Sequence, residues 1–302
     1  MDLEDCRTMN VDSIAKFSEQ DIVRLKNMEG RMELVEKAQI VMLHFPMWDR
    51  IPYITHGIST RQGGVSGGIY KSMNFKEDGE DTEENVRENY RRIAKHLGCD
   101  VSFMVRPSLV HGDRVHRVTA TDYGNGTVRR STLFETDALI TDTPGVTLCA
   151  TFADCVPLLF LDTKKHAVGL AHSGWRGTVK KIGKKTVEAM GQSFGSRPED
   201  ILAAVGPCIC QGCYEVGEDT AEEFRREFLG AQELLTENPM KKGHYQLDLR
   251  KANETIFLES GILPEHIIVS DLCTCCNPKL IFSHRATQGK RGAIGAFLGL
   301  QG

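Results

Sequence analysis

Residues 146–178 read VTLCATFADCVPLLFLDTKKHAVGLAHSGWRGT, and this stretch decides the fold class. Residues 146–152 form one β-type apolar run, 156–161 a second and 167–172 a third. Asp162-Thr163-Lys164-Lys165 is a polar turn between the last two, so these two strands pair as a hairpin. The chain then changes period. Gly174-Trp175-Arg176-Gly177-Thr178 opens a helix of about sixteen residues, with Val179, Ile182, Thr186 and Met190 as its inner stripe. Strands of this kind giving way to helices predict an α+β fold of mixed β-sheets flanked by helices, in a single large domain.

The same alternation extends in both directions. Downstream, residues 221–228 and 249–258 read as helices, the second capped by Asp248, while 266–270 and 293–300 read as strands. Upstream, Val86, Tyr90, Ile93 and Leu97 recur at helical spacing. Asp81 or Thr82 caps that helix and Gly98 stops it. Residues 52–58 form a strand leading into the loop Ser59-Thr60-Arg61-Gln62-Gly63-Gly64-Val65-Ser66-Gly67-Gly68, whose glycines let the backbone bend and approach a ligand. Residues 1–40 are polar and weakly patterned, with a short helix expected to start at Ser18-Glu19-Gln20-Asp21. The expected division is an extension over residues 1–45 and a catalytic domain over 46–302.

The 302 residues carry a formal net charge of -4, with 40% hydrophobic and 26% charged residues. The pI of about 6.2 argues against a nucleic-acid binder. No apolar run reaches the ~18 residues of a membrane span. The opening Met1-Asp2-Leu3-Glu4-Asp5 does not resemble a secretory signal. Ten cysteines in a chain of this length fit a reduced, cytoplasmic setting better than a disulfide scaffold. Six of them cluster, as Cys208, Cys210 and Cys213 and as Cys273, Cys275 and Cys276. They offer a structural zinc site but no clean paired CxxC pattern, and ordinary reduced thiols are the competing reading.

Three other residues sit at element ends, where scaffolds present reactive groups. Cys155 lies between two apolar strands, His172 ends the third, and His111 precedes the turn Gly112-Asp113-Arg114. A thiol near an imidazole suits a nucleophile activated by a base. Two His and one Cys also match the ligand count of a catalytic zinc site. A buried thiol and an ordinary core histidine are the plain alternative. Arg61 and Arg285 are candidate anion-binding groups, with Gly63 and Gly64 beside Arg61. The glycine pattern is not a Walker motif, since no Gly-Lys-Ser/Thr follows.

Taken together, these blocks resemble the YfiH family, long called laccase-domain or multicopper polyphenol oxidoreductase proteins. The matching stretches are His56-Gly57-Ile58-Ser59-Thr60-Arg61 with Gly63-Gly64-Val65-Ser66, Val110-His111-Gly112-Asp113-Arg114-Val115, Thr136-Asp137-Ala138-Leu139, Ala153-Asp154-Cys155-Val156-Pro157, His172-Ser173-Gly174-Trp175-Arg176-Gly177, Gly206-Pro207 and Phe282-Ser283-His284-Arg285. They span residues 50–302 in order. The resemblance implies a purine nucleoside phosphorylase that splits adenosine, inosine, guanosine or methylthioadenosine with phosphate, with adenosine deaminase activity beside it. It implies zinc held by His111, Cys155 and His172, and a loop arginine at Arg61. Leu109, Phe152 and Ser173 depart from the family's usual Gln, Thr and Ala; these changes leave the ligands intact and bear on substrate preference.

On this reading Arg61 holds phosphate, Gly63 and Gly64 supply backbone N–H donors, and one open metal position serves both reactions. The expected partners are purine nucleosides and phosphate, with no nucleic acid or membrane, in a monomer or homodimer. Copper oxidation of phenols, implied by the older name, fits poorly, because Cu(II) sites draw on many imidazoles and the ten histidines include no His-x-His pair. A cysteine hydrolase or amidase editing a peptidoglycan precursor is the alternative, with Cys155 as nucleophile and His172 as base. A metal-binding module without turnover is the third.

Overall fold

The computed structural model describes residues 22–25, 31–77 and 79–302; the helix expected to start at Ser18 lies outside them. In chain order the strands are β1 (Glu33–Lys37), β2 (Ile40–His44), β3 (Ile54–Ser59), β4 (Met104–Val105), β5 (Val115–Arg117), β6 (Ala138–Thr141), β7 (Thr147–Phe152), β8 (Val156–Asp162), β9 (Ala167–Ser173), β10 (Ile201–Val205), β11 (Glu215–Gly217), β12 (Leu235–Glu237), β13 (His244–Leu247), β14 (Ile267–Val269) and β15 (Ile294–Leu300). The α-helices are α1 (Glu83–Leu97), α2 (Trp175–Val179), α3 (Ile182–Phe194), α4 (Glu218–Glu227) and α5 (Leu249–Glu259). This is the α+β class expected from residues 146–178.

Two six-stranded sheets carry the fold, ordered β1-β2-β3-β15-β7-β4 and β14-β10-β8-β9-β6-β5. They pack face to face. Leu148, Ala150, Ile294 and Leu298 of the first sheet share a core with Leu159, Leu161, Val168 and Leu170 of the second. The outer face of the second sheet, through Leu158, Phe160 and Ala171, packs on Ile182, Val187 and Met190 of α3 and Ile256 and Phe257 of α5. The outer face of the first, through Met42, Cys149 and Phe297, packs on Val86, Tyr90 and Ile93 of α1. The layering is helix, sheet, sheet, helix. It explains why β8 reads as a continuous apolar run: alternate side chains point to opposite faces, and both faces are covered.

α1 begins where Thr82 accepts a hydrogen bond from the Asn85 N–H and ends at Gly98, which takes the left-handed conformation (φ 73°) that glycine adopts without a Cβ clash. The helix expected from Gly174 is instead two, because Lys181 turns left-handed (φ 55°) between α2 and α3. The break re-aims α3 so that Ile182, Gly183, Thr186, Val187 and Met190 are all buried against the sheet. The expected extension over residues 1–45 is not separate throughout. β1 and β2 form a hairpin, and β2 pairs with β3 through Met42↔Ser59 and Leu43↔Ile58. Met32, Met42 and Leu43 are completely buried. Farther upstream, Leu25 N–H donates to the Asp271 carbonyl (2.8 Å). No described helix is long and apolar enough to cross a membrane.

Candidate active site

Cys155 lies on the short crossover Ala153-Asp154-Cys155, where the chain leaves β7 of one sheet for β8 of the other. β8 and β9 then form the expected hairpin, in the register Val156↔Ser173 and Pro157↔His172. This register returns His172 to the level of Cys155 across 17 residues of sequence. Gly174 completes the turn; a Cβ there would stand 2.9 Å from His111 Cδ2 and 3.1 Å from Cys155 Sγ. One ligand atom each from His111, Cys155 and His172 falls within 4.8 Å of the others, and the two imidazoles meet edge to face at 4.8 Å between centroids.

A buried carboxylate that the sequence reading left without a role organises this trio. Asp137 sits just before β6. Its carboxylate accepts the backbone N–H groups of Val110 (3.2 Å), His111 (2.9 Å) and Gly112 (2.8 Å). These bonds hold His111 in a left-handed backbone conformation, φ 59°, uncommon for a side-chain-bearing residue. Asp137 Oδ1 also lies 3.0 Å from His172 Nδ1. A carboxylate only accepts, so Nδ1 carries the proton and Nε2 faces the thiol. Behind the histidine, Ser173 bonds Thr178 (2.9 Å) and Asn253 (2.9 Å) in a sealed polar network. The extra hydroxyl at this departure position is therefore satisfied in the interior. Phe152, the other departure, packs its ring 5.3 Å from that of His172.

The electrostatics follow from this geometry. Burial alone raises the Cys155 thiol, but the charge of His172 and hydrogen bonding from His111 and His172 outweigh it and bring the pKa down to about 6. Burial likewise opposes a charge on His172, but the Cys155 thiolate and Asp137 lift its pKa to about 9. Asp137 is itself held below the ordinary carboxylate range: burial raises it, and His172 and the backbone donors more than offset that. His172 is buried, Cys155 partly exposed and His111 exposed, so the cluster has one sealed side and one open side.

The donor set fits a zinc ion. Tetrahedral zinc with bonds of about 2.0–2.3 Å needs its ligand atoms about 3.3–3.8 Å apart, a spacing that the present cluster accommodates. A carboxylate behind a ligating imidazole is the usual support of such a site. The open side leaves a position for substrate, as in catalytic rather than structural zinc sites.

A family model described as a multi-copper polyphenol oxidoreductase laccase matches residues 55–301. The chain belongs to this family. Within it, the chain is 39% identical over 246 residues to the Bacillus subtilis protein named purine nucleoside phosphorylase YlmD, covering 81% of this chain and 88% of that protein. It is 33% identical to a prokaryotic protein named adenosine deaminase RL5, covering 75% and 87%. The crystal structure of the YfiH protein of Bacillus licheniformis superposes with a TM-score of 0.83 at 35% identity, over 89% of this chain and 99% of that one. The laccase-domain name brings copper with it. This site offers a thiolate and two imidazoles, a set that zinc shares.

The glycine-rich loop of this laccase-domain chain departs from its expected role. Arg61 is 2% exposed. Its Nε donates to the Lys71 carbonyl (3.2 Å), its Nη1 to the Pro278 carbonyl (2.7 Å), and the guanidinium stacks 4.2 Å over Phe282. Burial lowers its pKa to about 10. The loop's amides are also engaged: Gly64 N–H bonds Ser72 Oγ (3.1 Å), Val65 N–H bonds Asn89 Oδ1 (2.9 Å) and Ser66 N–H bonds the Ser72 carbonyl (3.0 Å). The glycines are needed for close packing: a Cβ on Gly64 would sit 2.0 Å from the Ser72 carbonyl, and one on Gly63 (φ +87°) 2.5 Å from that of Gln39. Arg61 is thus a clamp inside the loop, and the amides of Gly64, Val65 and Ser66 are spent on the loop's own contacts.

Arg285 lies nearer the chemistry. Its backbone N–H donates to Asp154 Oδ2 (2.6 Å), and its guanidinium holds the carbonyls of Cys213 and Glu215 (3.0 Å each) beside the Tyr214 ring. Burial, followed by the Cys155 charge, pushes the Tyr214 phenol up, which marks Tyr214 as a neighbour of the centre. Sequence reading passed over it. Its only signal is position, in the loop that returns from the end of β10.

Proposed function

We propose that this chain is a zinc-dependent purine nucleoside phosphorylase, with adenosine deamination as a side activity. One observation carries the reading: two imidazoles and a lowered-pKa thiol converge, backed by a buried carboxylate and open on one side, in a chain 39% identical to a protein named purine nucleoside phosphorylase. His111, Cys155 and His172 hold the metal, which when bound supplies Lewis acidity at the open side. Asp137 fixes the His172 tautomer and the His111 backbone. The sealed His172 side, walled by Phe152, keeps water from approaching the centre from behind. Phosphate enters beside His284, whose pKa is lowered first by burial and then by the nearby Arg291, Arg285 and Lys76, against the opposing charge of Asp154; these three cations are the groups suited to an anion. Tyr214, beside Arg285, is a flat aromatic surface for a purine.

The product assay is direct. Adenosine with phosphate should give adenine and ribose 1-phosphate, and adenosine without phosphate a smaller amount of inosine. Cys155→Ala should abolish phosphorolysis in a folded protein; unchanged turnover would remove Cys155 from the centre. A second reading rests on the line Cys155–His172–Asp137, which has the order of a nucleophile, its base and the base's orienting group. A cysteine hydrolase would survive exhaustive chelation and be killed by alkylation. The proposed phosphorylase would lose activity on chelation and regain it with zinc.

A further inference from the structure

A second group of sulfurs lies outside the reactive centre. Cys210, Cys213, Cys273 and Cys276 bring their Sγ atoms within 4.8 Å of one another. They form two CxxC pairs, Cys210 with Cys213 and Cys273 with Cys276, that the neighbouring Cys208 and Cys275 disguise in the sequence. We propose that these four thiols form a tetrathiolate zinc site that fastens the loop after β10 to the loop after β14 and so braces one wall of the reactive centre.

The spacing supports the assignment. Four thiolates around zinc at about 2.3 Å stand about 3.8 Å apart along each edge of the tetrahedron. The Cys213–Cys276 and Cys210–Cys276 separations are 3.5 and 4.0 Å, on either side of that value. Both far exceed the ~2.05 Å of a disulfide. The backbone is arranged to support sulfur as an acceptor, since the N–H groups of Cys210 (3.2 Å) and Cys276 (3.4 Å) point at Cys273 Sγ. The two loops are already in register through the bridge Cys208↔Cys273. Buried Arg250 ties them from behind by donating to the carbonyls of Cys208 and Leu272. Cys208 is fully buried in the apolar core and Cys275 lies outside the group, so the choice of four is geometric. Soft thiolates in this number select zinc over the harder divalent ions. Binding displaces the remaining thiol protons to water as the four sulfurs coordinate.

The site also touches function. Thr274, inside the second pair, donates to Asp154 Oδ1 (2.6 Å), next to Cys155. Arg285 holds the carbonyl of Cys213 itself (3.0 Å). Losing the metal should loosen this wall without removing any ligand of the first centre.

The test uses the full-length Cys155→Ala protein, so that the first centre supplies no thiolate. Elemental analysis after zinc loading should retain one tightly held zinc per chain. Cobalt substitution should give the strong sulfur-to-metal charge-transfer bands of four thiolates. Adding Cys213→Ser and Cys276→Ser should remove both signals. If that variant does not fold, thiol titration of the Cys155→Ala chain decides: four thiols should be shielded until a chelator is added, with zinc released in step. Absence of sulfur-bound metal, iron in place of zinc, or a mass two hydrogens lower per disulfide in protein prepared under reducing conditions would each overturn the proposal. None of these outcomes depends on the nucleoside activity.

Discussion

Substituting Asp137 by Asn leaves the fold's shape untouched but replaces one oxygen of a carboxylate that orients His172 and ties down three successive amides around His111. Removing such an outer partner lowers metal affinity by about 10–100-fold. The expected outcome for Asp137→Asn is a zinc affinity weakened within that range, measured by competition with a chromogenic chelator; unchanged affinity would mean that Asp137 supports only the backbone. The same residues set a pH window for the metal-free protein. Cys155 is depressed from 9.0 to about 6, so its contribution to stability is complete above 9.0 and is lost as pH falls through about 6. His172 is raised from 6.5 to about 9, so its contribution is complete below 6.5 and is lost as pH rises through about 9. The melting temperature of chelated protein should therefore be greatest between these limits, and Cys155→Ala should flatten the profile. Alkylation of Cys155 in the same preparation should accelerate through about pH 6 rather than at the ordinary thiol value near 9.0.

At the level of elements, Arg61 separates two roles. As a phosphate ligand, it would raise the phosphate requirement when changed to Lys. As a clamp between the glycine loop and Pro278, it would lower stability instead. The structure favours the second: Arg61→Lys should cost about 1–3 kcal/mol, because a buried carbonyl loses its donor. The KM for phosphate at saturating inosine should stay unchanged, and thermal unfolding together with steady-state kinetics checks both halves. The glycine loop's composition suits a ligand cradle and a tightly packed turn equally well; only neighbours such as Ser72 and Gln39 show how closely it packs. Other elements were legible. β7, β8 and β9 lie within a residue of their expected limits because burial on both faces leaves unbroken apolar runs. α1 was marked by Thr82 and Gly98. The break at Lys181 carried no such marker, since neither glycine nor proline stands there. Asp137 could not be assigned from sequence because its partners are 26 and 35 positions away. The CxxC pairs were hidden by interleaved cysteines, and only the paired loops show which four sulfurs meet.

For the molecule as a whole, residues 22–25 and 31–54, ahead of the matched family region, make contacts with the rest of the structure. Val23 N–H donates to Asn277 Oδ1 (2.7 Å) and Arg24 pairs with Asp271 (2.5 Å), so residues 22–25 lie against the loop that carries Cys273 and Cys276. A chain starting at residue 22 keeps every described contact and should retain both melting temperature and turnover. A chain starting at residue 46 lacks β1 and β2, bares the edge of β3 and uncovers apolar residues beneath Met32 and Leu43. It should be poorly soluble or melt markedly lower, and comparing the two truncations by thermal unfolding tests this.

The place of β15 has a consequence for biosynthesis. It lies between β3 and β7, antiparallel to both, although residues 54–59 and 147–152 leave the ribosome long before residues 294–300. Every proposed ligand of the reactive centre is translated by His172, yet the first sheet cannot close around it until the ribosome has passed residue 300 and β15 has cleared the exit tunnel. In the meantime β3 and β7 present unpaired edges, the form of strand most prone to pair with another chain. A nonsense codon anywhere between residues 173 and 293 would therefore leave all three ligands in a polypeptide suited to a chaperone or a protease rather than to catalysis.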